Sequence, residues 1–303
     1  MASAHDLKPW DRLPGTVERG EGWALAKGDS IAALERLEPA SVDLCFADPP
    51  YMLSNGGTTC QSGRRVSVDK GGWDVSRGVA DDHAFQTRWL QAVRRVLKPS
   101  GTLWVSGTQH VIFSIGFAMQ ELGYHLLNTV TWYKPNASPN LACRMFTHST
   151  EILLWASPSR ARPLPHRFNY KAMKQENGGK QMRDLWAITE QPVPEGQQVI
   201  WPLPTPGPRE KAHGRHPTQK PLALLERVVA ASAQPGDLVV DPFCGSGTTG
   251  VAALKAGCRF LGLEMEPGYL DLAARRLKDV EGHGAAVRDE SAAGSAAQSS
   301  RAG

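Results

Sequence analysis

Two short segments of this sequence combine residue types that suit a planar ring bearing an exocyclic amine. The first is Asp48-Pro49-Pro50-Tyr51, which follows an apolar run at 42–47. Its two prolines fix φ and remove two N–H donors, so the carbonyls of Asp48 and Pro49 lack local partners. The turn therefore presents a carboxylate, free carbonyl acceptors and an aromatic face. Such a set could accept hydrogen bonds from an amine while Tyr51 stacks on the ring.

The second segment runs from Asp241 to Gly250 and reads Asp-Pro-Phe-Cys-Gly-Ser-Gly-Thr-Thr-Gly. An apolar run ends at the acid, and Gly-x-Gly then opens a predicted helix. Glycines let the backbone approach a ligand closely, and ligands of open α/β sheets bind beyond the carboxyl ends of the strands. A second predicted strand ends at Glu264, about 20 residues on, where an acid can bind ribose hydroxyls. The segment is neither G-x-G-x-x-G nor a P-loop, and it predicts a nucleoside-type ligand.

The elements that must position these segments alternate between short apolar runs and helical patterns. This alternation is typical of a parallel sheet with helices on its faces. Strands are predicted over 42–47, 102–106, 129–133, 152–156, 238–241 and 260–264. Helices are predicted over 30–37, 85–97, 109–122, 220–233, 247–256 and 269–277.

The composition excludes several classes of protein. Of the 303 residues, 41% are apolar and 21% charged, which argues against collagen, coiled coil and disorder throughout. No apolar run reaches the roughly 18 residues of a membrane span, and the first 20 residues do not form a secretory signal. The five scattered cysteines lack a CxxC pattern and predict reduced thiols, with neither a disulfide framework nor a zinc site. We expect a cytoplasmic protein whose net charge of +4 suits a polyanion without demonstrating one.

The stretch 157–215 interrupts the α/β pattern with prolines and interleaved cations and aromatics. They are Arg160, Arg162, His166, Arg167, Lys171, Lys174, Lys180 and Arg183, with Phe168, Tyr170, Trp186 and Trp201. Two interpretations stay open. One is a solvated surface insertion; the other is a segment that reads nucleic acid through phosphate contacts and base stacking.

Three motifs together carry a resemblance to a known family. Asp48-Pro-Pro-Tyr51, His216-Pro-Thr-Gln-Lys-Pro221 and Phe243-x-Gly-x-Gly247 resemble the DNA amino-methyltransferases. Those enzymes move a methyl group from S-adenosylmethionine to adenine N6 or cytosine N4. The order of the motifs is that of the permuted β group, and the likeness covers roughly residues 22 to 280. Cys244 departs from the pattern, since a larger apolar residue is frequent there.

Several further phrases are similar to the adenine-specific members, above all those acting on GATC-like or GANTC-like sites. They are Asp69-Lys-Gly-Gly-Trp73-Asp74, Asn128-Thr-Val-Thr-Trp132, Asn136-Ala-Ser-Pro-Asn140, His148-Ser-Thr-Glu151 and Phe168-Asn-Tyr170.

The resemblance implies an α/β fold of the Rossmann-like S-adenosylmethionine-dependent methyltransferase type, with a mostly parallel, doubly wound sheet in circularly permuted order. It divides the chain into an N-terminal extension (1–21), a catalytic half (22–156), a target-recognition insertion (157–215) and a cofactor-binding half (216–281). The final stretch (282–303) is rich in Gly, Ala and Ser without an apolar period, which predicts a disordered tail. S-adenosylmethionine is the implied cofactor and DNA the implied partner, in nucleoid-associated activity, without a metal or a membrane. A homodimer and a cognate restriction enzyme are further implied partners.

The resemblance also assigns roles residue by residue. The implied catalytic residues are Asp48, Pro49, Pro50 and Tyr51. The implied cofactor-binding residues are Asp29, Asp48, Thr218, Gln219, Lys220, Asp241, Phe243, Gly245, Ser246, Gly247, Thr248 and Glu264. The implied DNA contacts are Trp73, Asn140 and Arg183. Simpler alternatives stay open, because Asp29 could cap the next helix, Lys220 could be a solvated charge and Trp73 a core or lid residue.

The implied mechanism starts from the weakness of an aromatic amine as a nucleophile, since its lone pair is delocalised into the ring. Hydrogen bonds to Asp48 and to the Pro49 carbonyl would favour a pyramidal nitrogen aimed at the methyl group, so alignment and charge placement supply most of the catalysis. The target nucleotide must flip out of the duplex, with Tyr51 stacking on it.

Other reactions fit the residues less well. A cytosine-C5 enzyme is excluded because no Pro-Cys dipeptide occurs. Ribosomal RNA guanine-N2 enzymes usually place the glycine loop first. Cytosine N4 stays open because it uses the same geometry. A catalytically silent DNA-binding subunit is disfavoured by the intact Asp48, Tyr51, Gly245 and Gly247.

Overall fold

The computed structural model describes residues 8–13, 15–54, 58–61, 64–67, 72–134, 137, 139–141, 143–187, 206, 209–214 and 216–282. The strands in these ranges are β1 (Thr16–Gly20), β2 (Trp23–Lys27), β3 (Val42–Ala47), β4 (Thr58–Gln61), β5 (Arg64–Ser67), β6 (Leu97–Gly107), β7 (His125–Tyr133), β8 (Thr150–Ser157), β9 (Leu185–Ala187), β10 (Leu238–Asp241) and β11 (Arg259–Glu264).

The helices are α1 (Ser30–Arg36), α2 (Val79–Val96), α3 (Ile112–Glu121), α4 (Tyr170–Glu176), α5 (Leu222–Ser232), α6 (Thr248–Lys255) and α7, which covers residues 267–282. Short 3-10 turns occupy Pro9–Arg12, Gly72–Asp74 and Arg209–Lys211. Within the described residues, no helix is both long and apolar enough to cross a membrane.

Nine strands form one sheet in the order β1-β2-β11-β10-β3-β6-β8-β7-β9. Strands β2, β11, β10, β3 and β6 run parallel to one another. Strand β1 pairs antiparallel with β2, and β8 pairs antiparallel with both β6 and β7. This confirms the predicted α/β fold. Because β3, β10 and β11 run in the same direction, the segments that follow them emerge at one edge of the sheet.

Helices cover both faces of the sheet, and β3 shows why. All six of its residues are buried, as expected for a central parallel strand with helices on either side. Cys45 and Ala47 pack in the core beneath α1, α2 and α3, while Leu44 and Phe46 pack in the core beneath α5, α6 and α7. Alternate side chains of a strand point to opposite faces, so this one strand belongs to both cores.

The six predicted strands and six predicted helices are all present, with shifted ends. The largest shift is in α2, which begins at Val79 rather than at 85. Strands β1, β2, β4, β5 and β9 were not predicted. In β2, with the sequence Trp-Ala-Leu-Ala-Lys, the two alanines do not favour a strand. The predicted tail lies outside the described residues from 283 onward, and Gly282 still belongs to α7.

Part of the predicted insertion packs firmly on the rest of the fold. Asn169 donates hydrogen bonds from its side chain to the carbonyls of Ala230 and Ala233 near the end of α5. Met173 of α4 is buried, and β9 pairs in parallel with β7. Residues 157–187 are therefore only partly a solvated surface loop.

One aromatic residue and two arginines of this part bind within the protein, in contrast to the interpretation of the stretch as a segment that reads nucleic acid. Trp186 is 4% exposed and lies against Trp104 with ring centroids 5.8 Å apart, so it cannot stack on bases. Arg160 donates to the Tyr124 carbonyl, and Arg167 donates to Gln234. The exposed cations are Arg160, Arg162, Lys171, Lys174, Lys180 and Arg183, and Trp201 lies outside the described residues.

Candidate active site

A cleft opens at the edge of the sheet where β3 and β10 end. The two chemically suggestive segments meet in it, since Asp48 and Asp241 both line its wall. The segment before α5 forms a third side. The lining residues are Phe46, Asp48, His216, Thr218, Gln219, Lys220, Asp241, Phe243, Cys244, Gly245, Ser246, Thr248 and Thr249.

Both carboxylate oxygens of Asp48 are held by side chains. Oδ1 accepts a hydrogen bond from the Tyr51 hydroxyl at 2.7 Å, and Oδ2 accepts one from Lys220 Nζ at 2.5 Å. Tyr51 is 7% exposed, and its hydroxyl also lies 3.4 Å from Ser106 Oγ. Burial raises the pKa of Tyr51 well above its ordinary value, helped by Asp48 and Glu151, so the phenol stays protonated. Lys220 is 8% exposed, which excludes the interpretation as a solvated charge.

The turn after Tyr51 is anchored by a buried acid. The Asp74 carboxylate accepts hydrogen bonds from the backbone N–H groups of Met52 and Leu53 and from the Ser54 hydroxyl. Met52 has a φ of +56°, a left-handed conformation that a non-glycine residue adopts at a cost. Asp74 thus holds in place a strained turn beside the site, a role that its place in the Asp69–Asp74 phrase could not reveal.

Glu151, at the start of β8, lies next to Lys220 and was not predicted to belong to the site. Its Oε1 is 2.5 Å from Lys134 Nζ and its Oε2 is 3.6 Å from Lys220 Nζ. The only signal in the sequence was the His148-Ser-Thr-Glu151 phrase. The strand register explains the placement, because Glu151 faces Trp132 across the β7–β8 pair, two residues before Lys134.

Asp241 is a buried carboxylate in the wall of the cleft. It accepts hydrogen bonds from Thr249 Oγ1 at 2.6 Å and from the Phe243 N–H at 3.0 Å. Burial is the main reason that its pKa is raised to about 7; the nearby carboxylates of Asp48 and Glu264 act in the same direction. Asp241 therefore changes charge near neutral pH.

The glycine loop is shaped by two left-handed glycines. Gly245 has a φ of +49°, and a Cβ there would lie 3.1 Å from His216 Nε2. Gly247 has a φ of +73°, and its Cβ would lie 2.9 Å from Ala273 Cβ in α7. The loop carbonyl of Ser246 and the Thr248 hydroxyl accept hydrogen bonds from the buried Arg276. Backbone freedom and close packing both require glycine here.

Phe243 closes the other side of the loop. Its ring meets Trp89 of α2 edge-on at 5.5 Å, and it packs against the core. Cys244, the residue that departs from the family pattern, is 5% exposed, and its N–H donates to the Leu263 carbonyl. Burial raises the pKa of the Cys244 thiol well above its ordinary value, so this small core group stays protonated.

Glu264 ties the end of β11 to the glycine loop. Its Oε2 accepts from the Gly245 N–H at 2.9 Å, and its Oε1 accepts from the N–H groups of Met265 and Glu266. Burial nevertheless raises its pKa. Asp29 lies near the end of β11, because the N–H of the preceding Gly28 donates to the Glu264 carbonyl. Oδ1 of Asp29 caps α1 by accepting a hydrogen bond from the Ala32 N–H at 2.9 Å. The cap is thus present, and the cofactor role of Asp29 stays a prediction.

The segment before α5 offers polar groups to the cleft. Gln219 donates from Nε2 to the Glu210 carbonyl, and its Oε1 is buried without a hydrogen-bond partner among the described residues. Thr218 donates from its N–H to His216 Nδ1, and the His216 ring packs against Tyr269. An unpaired buried acceptor beside a cleft is what a ligand N–H or O–H group would satisfy.

Within the described residues, the lining of this cleft does not include Asn140 or Arg183, two of the residues predicted to contact DNA. Asn140 donates to the Met145 carbonyl in the loop between β7 and β8. Arg183 is exposed before β9, and its carbonyl accepts from the Trp186 indole. Trp73 lies in the 3-10 turn Gly72–Asp74, with its side chain outside the described residues. Their contact with DNA stays a prediction.

Known proteins resemble this chain in sequence and in fold. Residues 42–275 match the model of a DNA methylase family, the N6/N4 methylases. The Type II methyltransferase M2.LlaDCHI of Lactococcus lactis subsp. cremoris is 46% identical over 259 residues, covering 85% of this chain and 90% of that protein. The crystal structure of the M1.HpyAVI–SAM complex covers 84% of this chain and 99% of its own, with a TM-score of 0.53 and 23% identity. The PvuII cytosine-N4-specific DNA methyltransferase covers 86% and 91%, with a TM-score of 0.62 and 19% identity.

Proposed function

This chain belongs to the DNA methylase family of N6 and N4 enzymes, and we propose that the methyl group it transfers goes to N6 of adenine. It is a site-specific DNA methyltransferase that uses S-adenosylmethionine. The observation that supports methylation of an exocyclic amine is the shared cleft: Asp48, an acceptor of amine hydrogen bonds, and Gly245, part of the glycine loop, line the same wall. The choice of adenine rests on the form of the sequence motif.

The residues present fit the cofactor. The buried Oε1 of Gln219 lacks a protein partner among the described residues, so a ligand N–H or O–H group can satisfy it. We assign the methionine part to the glycine loop with Thr218 and Gln219, and the ribose hydroxyls to Glu264. When bound, the cofactor supplies a methyl group already activated on a positively charged sulfur. Ionised Asp241 lies in the same wall and would favour that charge.

The acceptor side then has to align an amine. Asp48 accepts one N–H of the target amine, and the Pro49 carbonyl accepts the other, which favours a pyramidal nitrogen with its lone pair directed into the cleft. Tyr51 is protonated, buried and held by Asp48 and Ser106, so its stacking on the extruded base stays a prediction from the resemblance. Positioning of this kind is worth several kcal/mol of activation free energy, on the order of 7–11 in intramolecular reactions.

The Asp-Pro-Pro-Tyr form of the motif favours adenine over cytosine, because serine in place of Asp48 is commoner in cytosine-N4 enzymes. The further phrases that are similar to adenine-specific members, such as His148-Ser-Thr-Glu151, favour adenine as well. Cytosine N4 stays the alternative, because a carboxylate and a carbonyl fit either exocyclic amine. The likeness to the PvuII enzyme does not decide the base, since at 19% identity it concerns the fold alone. A homodimer and a cognate restriction enzyme remain predictions from the resemblance.

The test is mass spectrometry of nucleosides released from DNA that has been treated with the protein and methyl-labelled S-adenosylmethionine. We expect labelled N6-methyladenine. Labelled N4-methylcytosine would move the proposal to the alternative. DNA binding without any labelled nucleoside would indicate the catalytically silent subunit and overturn the proposal.

A further inference from the structure

Lys220 is a buried cation that contacts the acceptor side of the cleft. Its Nζ lies 2.5 Å from Asp48 Oδ2, 3.3 Å from the Tyr51 hydroxyl and 3.6 Å from Glu151 Oε2. It also lies over the Tyr51 ring, 5.5 Å from the centroid. An ammonium group has three N–H donors and no acceptor. The described polar contacts of Lys220 go to Asp48 and Tyr51, which the proposed function assigns to the target base, and to Glu151.

Glu151 completes the surroundings of Lys220. Burial alone would raise the pKa of Glu151, but the ammonium groups of Lys220 and Lys134 outweigh it and lower that pKa. Burial alone would lower the pKa of Lys220, but Asp48 and Glu151 outweigh it and raise that pKa. Both groups are therefore charged at neutral pH, and each depends on the other for compensation in a buried place.

Four charges of alternating sign thus run from the β7–β8 end of the sheet to the end of β3. Their order is Lys134, Glu151, Lys220 and Asp48, with successive contacts of 2.5, 3.6 and 2.5 Å. The four side chains come from three separate regions of the chain. Each carboxylate oxygen offers about two lone-pair directions, so Asp48 can hold Lys220 and Tyr51 and still accept from an amine.

We propose that Lys220 and Glu151 are positioning residues for methyl transfer: Glu151 holds the Lys220 ammonium against Asp48, and Lys220 fixes the orientation of the Asp48 carboxylate. The inference rests on the proposed function. It also moves Lys220 from the cofactor-binding group, where the sequence placed it, to the acceptor side of the cleft.

The test compares Glu151→Gln, Lys220→Met and their double variant with wild type. The matched control is Lys98→Met, because Lys98 Nζ lies 2.6 Å from Asp43 Oδ1 near the other end of β3. For each protein, kcat on duplex DNA, the dissociation constant for S-adenosylmethionine by calorimetry and the melting temperature are measured. Misplacement of a reacting group by about 1 Å costs about 100-fold in rate.

We expect kcat to fall by about 10- to 100-fold in both single variants while the cofactor dissociation constant stays near that of wild type. The double variant should be no slower than the slower single variant, because both residues act through Asp48. Lys98→Met should keep the wild-type kcat. Glu151→Gln decides the question if Lys220→Met does not fold, since the amide is nearly isosteric.

Two results would overturn the inference. One is a wild-type kcat in Glu151→Gln; the other is a Lys220→Met protein that keeps kcat at saturating cofactor but binds S-adenosylmethionine weakly, which would return Lys220 to the cofactor side. Either result with an active wild type would leave the proposed function intact. A wild-type protein that methylates no nucleoside would refute both.

Discussion

The carboxylate of Asp241 accepts a hydrogen bond from the Thr249 hydroxyl across the glycine loop, at a distance of 2.6 Å. The bond joins the end of β10 to the first turn of α6, so the loop closes around a buried acid. Because burial raises the pKa of Asp241 to about 7, the charge in the wall of the cleft depends on the pH of the solution.

The first prediction concerns the affinity for S-adenosylmethionine between about pH 5 and pH 9. Asp241 is protonated below pH 7, and a positive sulfonium favours its ionised form, so binding must release the proton at low pH. Affinity should therefore rise with pH by at most about tenfold per unit and level off above the pKa of Asp241. Calorimetric titrations at several pH values measure this.

Asp241→Asn is the control for that prediction, because its amide does not titrate. Glu264 also has a raised pKa and contributes its own slope, so the difference between the two proteins is the relevant quantity. An unchanged slope in Asp241→Asn would contradict the prediction.

The second prediction concerns Asp48→Ala, which removes the acceptor for the target amine. Methylation should fall by at least about 100- to 1,000-fold, the loss typical of removing one electrostatic partner of a reacting group. The affinities for S-adenosylmethionine and DNA should change little. Labelled methyl incorporation and filter binding give the two readouts, and full activity in this variant would refute the role of Asp48.

The third prediction concerns Gly247→Ala in the glycine loop. The new Cβ would lie 2.9 Å from Ala273 Cβ at a φ of +73°, so α7 or the loop must shift. Overpacking of this kind costs about 1–3 kcal/mol of unfolding free energy, in addition to the strain of a left-handed alanine, and weaker cofactor binding should accompany it.

Gly236→Ala is the matched control, since Gly236 has a φ of +87° but no heavy atom near the added Cβ. It should lose only the backbone part, about 1–2 kcal/mol, and keep the cofactor affinity. Chemical denaturation of both variants separates the two effects; equal losses would show that contact with Ala273 does not matter.

The fourth prediction concerns the salt dependence of DNA binding. Lys171, Lys174 and Lys180 are exposed on or beside α4, in the region proposed to recognise the target. If they contact phosphates, the logarithm of the association constant should fall with log salt, with a slope reduced by about 0.9 for each contact that is removed.

A triple alanine variant of those lysines tests the prediction by binding titrations at several salt concentrations. Lys278→Ala serves as the control, because Lys278 lies in α7 and pairs with Glu18. A triple variant with the wild-type slope would place the phosphate contacts elsewhere.

The sequence predicted the carboxyl ends of β3 and β10 well, because the pattern of apolar run, acid and proline is local. It predicted the meeting of Asp48 and Asp241 through fold logic, since parallel strands end at one edge of a sheet. It could not predict the pairing of Lys220 with Glu151, because that contact depends on the register of β7 and β8 and on the path of the chain before α5.

Burial was the other quantity that local patterns left undecided. Trp186 looked like a base-stacking residue among cations, yet its ring packs on Trp104. Aromatic side chains suit cores and nucleic-acid surfaces equally, and only the pairing of β9 with β7 separates the two. The Asp74 anchor was invisible for a similar reason, since it acts on a turn 20 to 22 positions earlier in the chain.

The neighbouring strands β3 and β10 also set a constraint on how this protein is made. Asp43 of β3 accepts a hydrogen bond from the Leu238 N–H, 195 positions later. During synthesis, the ribosome therefore releases the first strand of this pair long before the second, and the contact is among the slow, non-local ones that delay folding. The nascent chain should acquire neither cofactor affinity nor activity until β10 and the glycine loop have emerged.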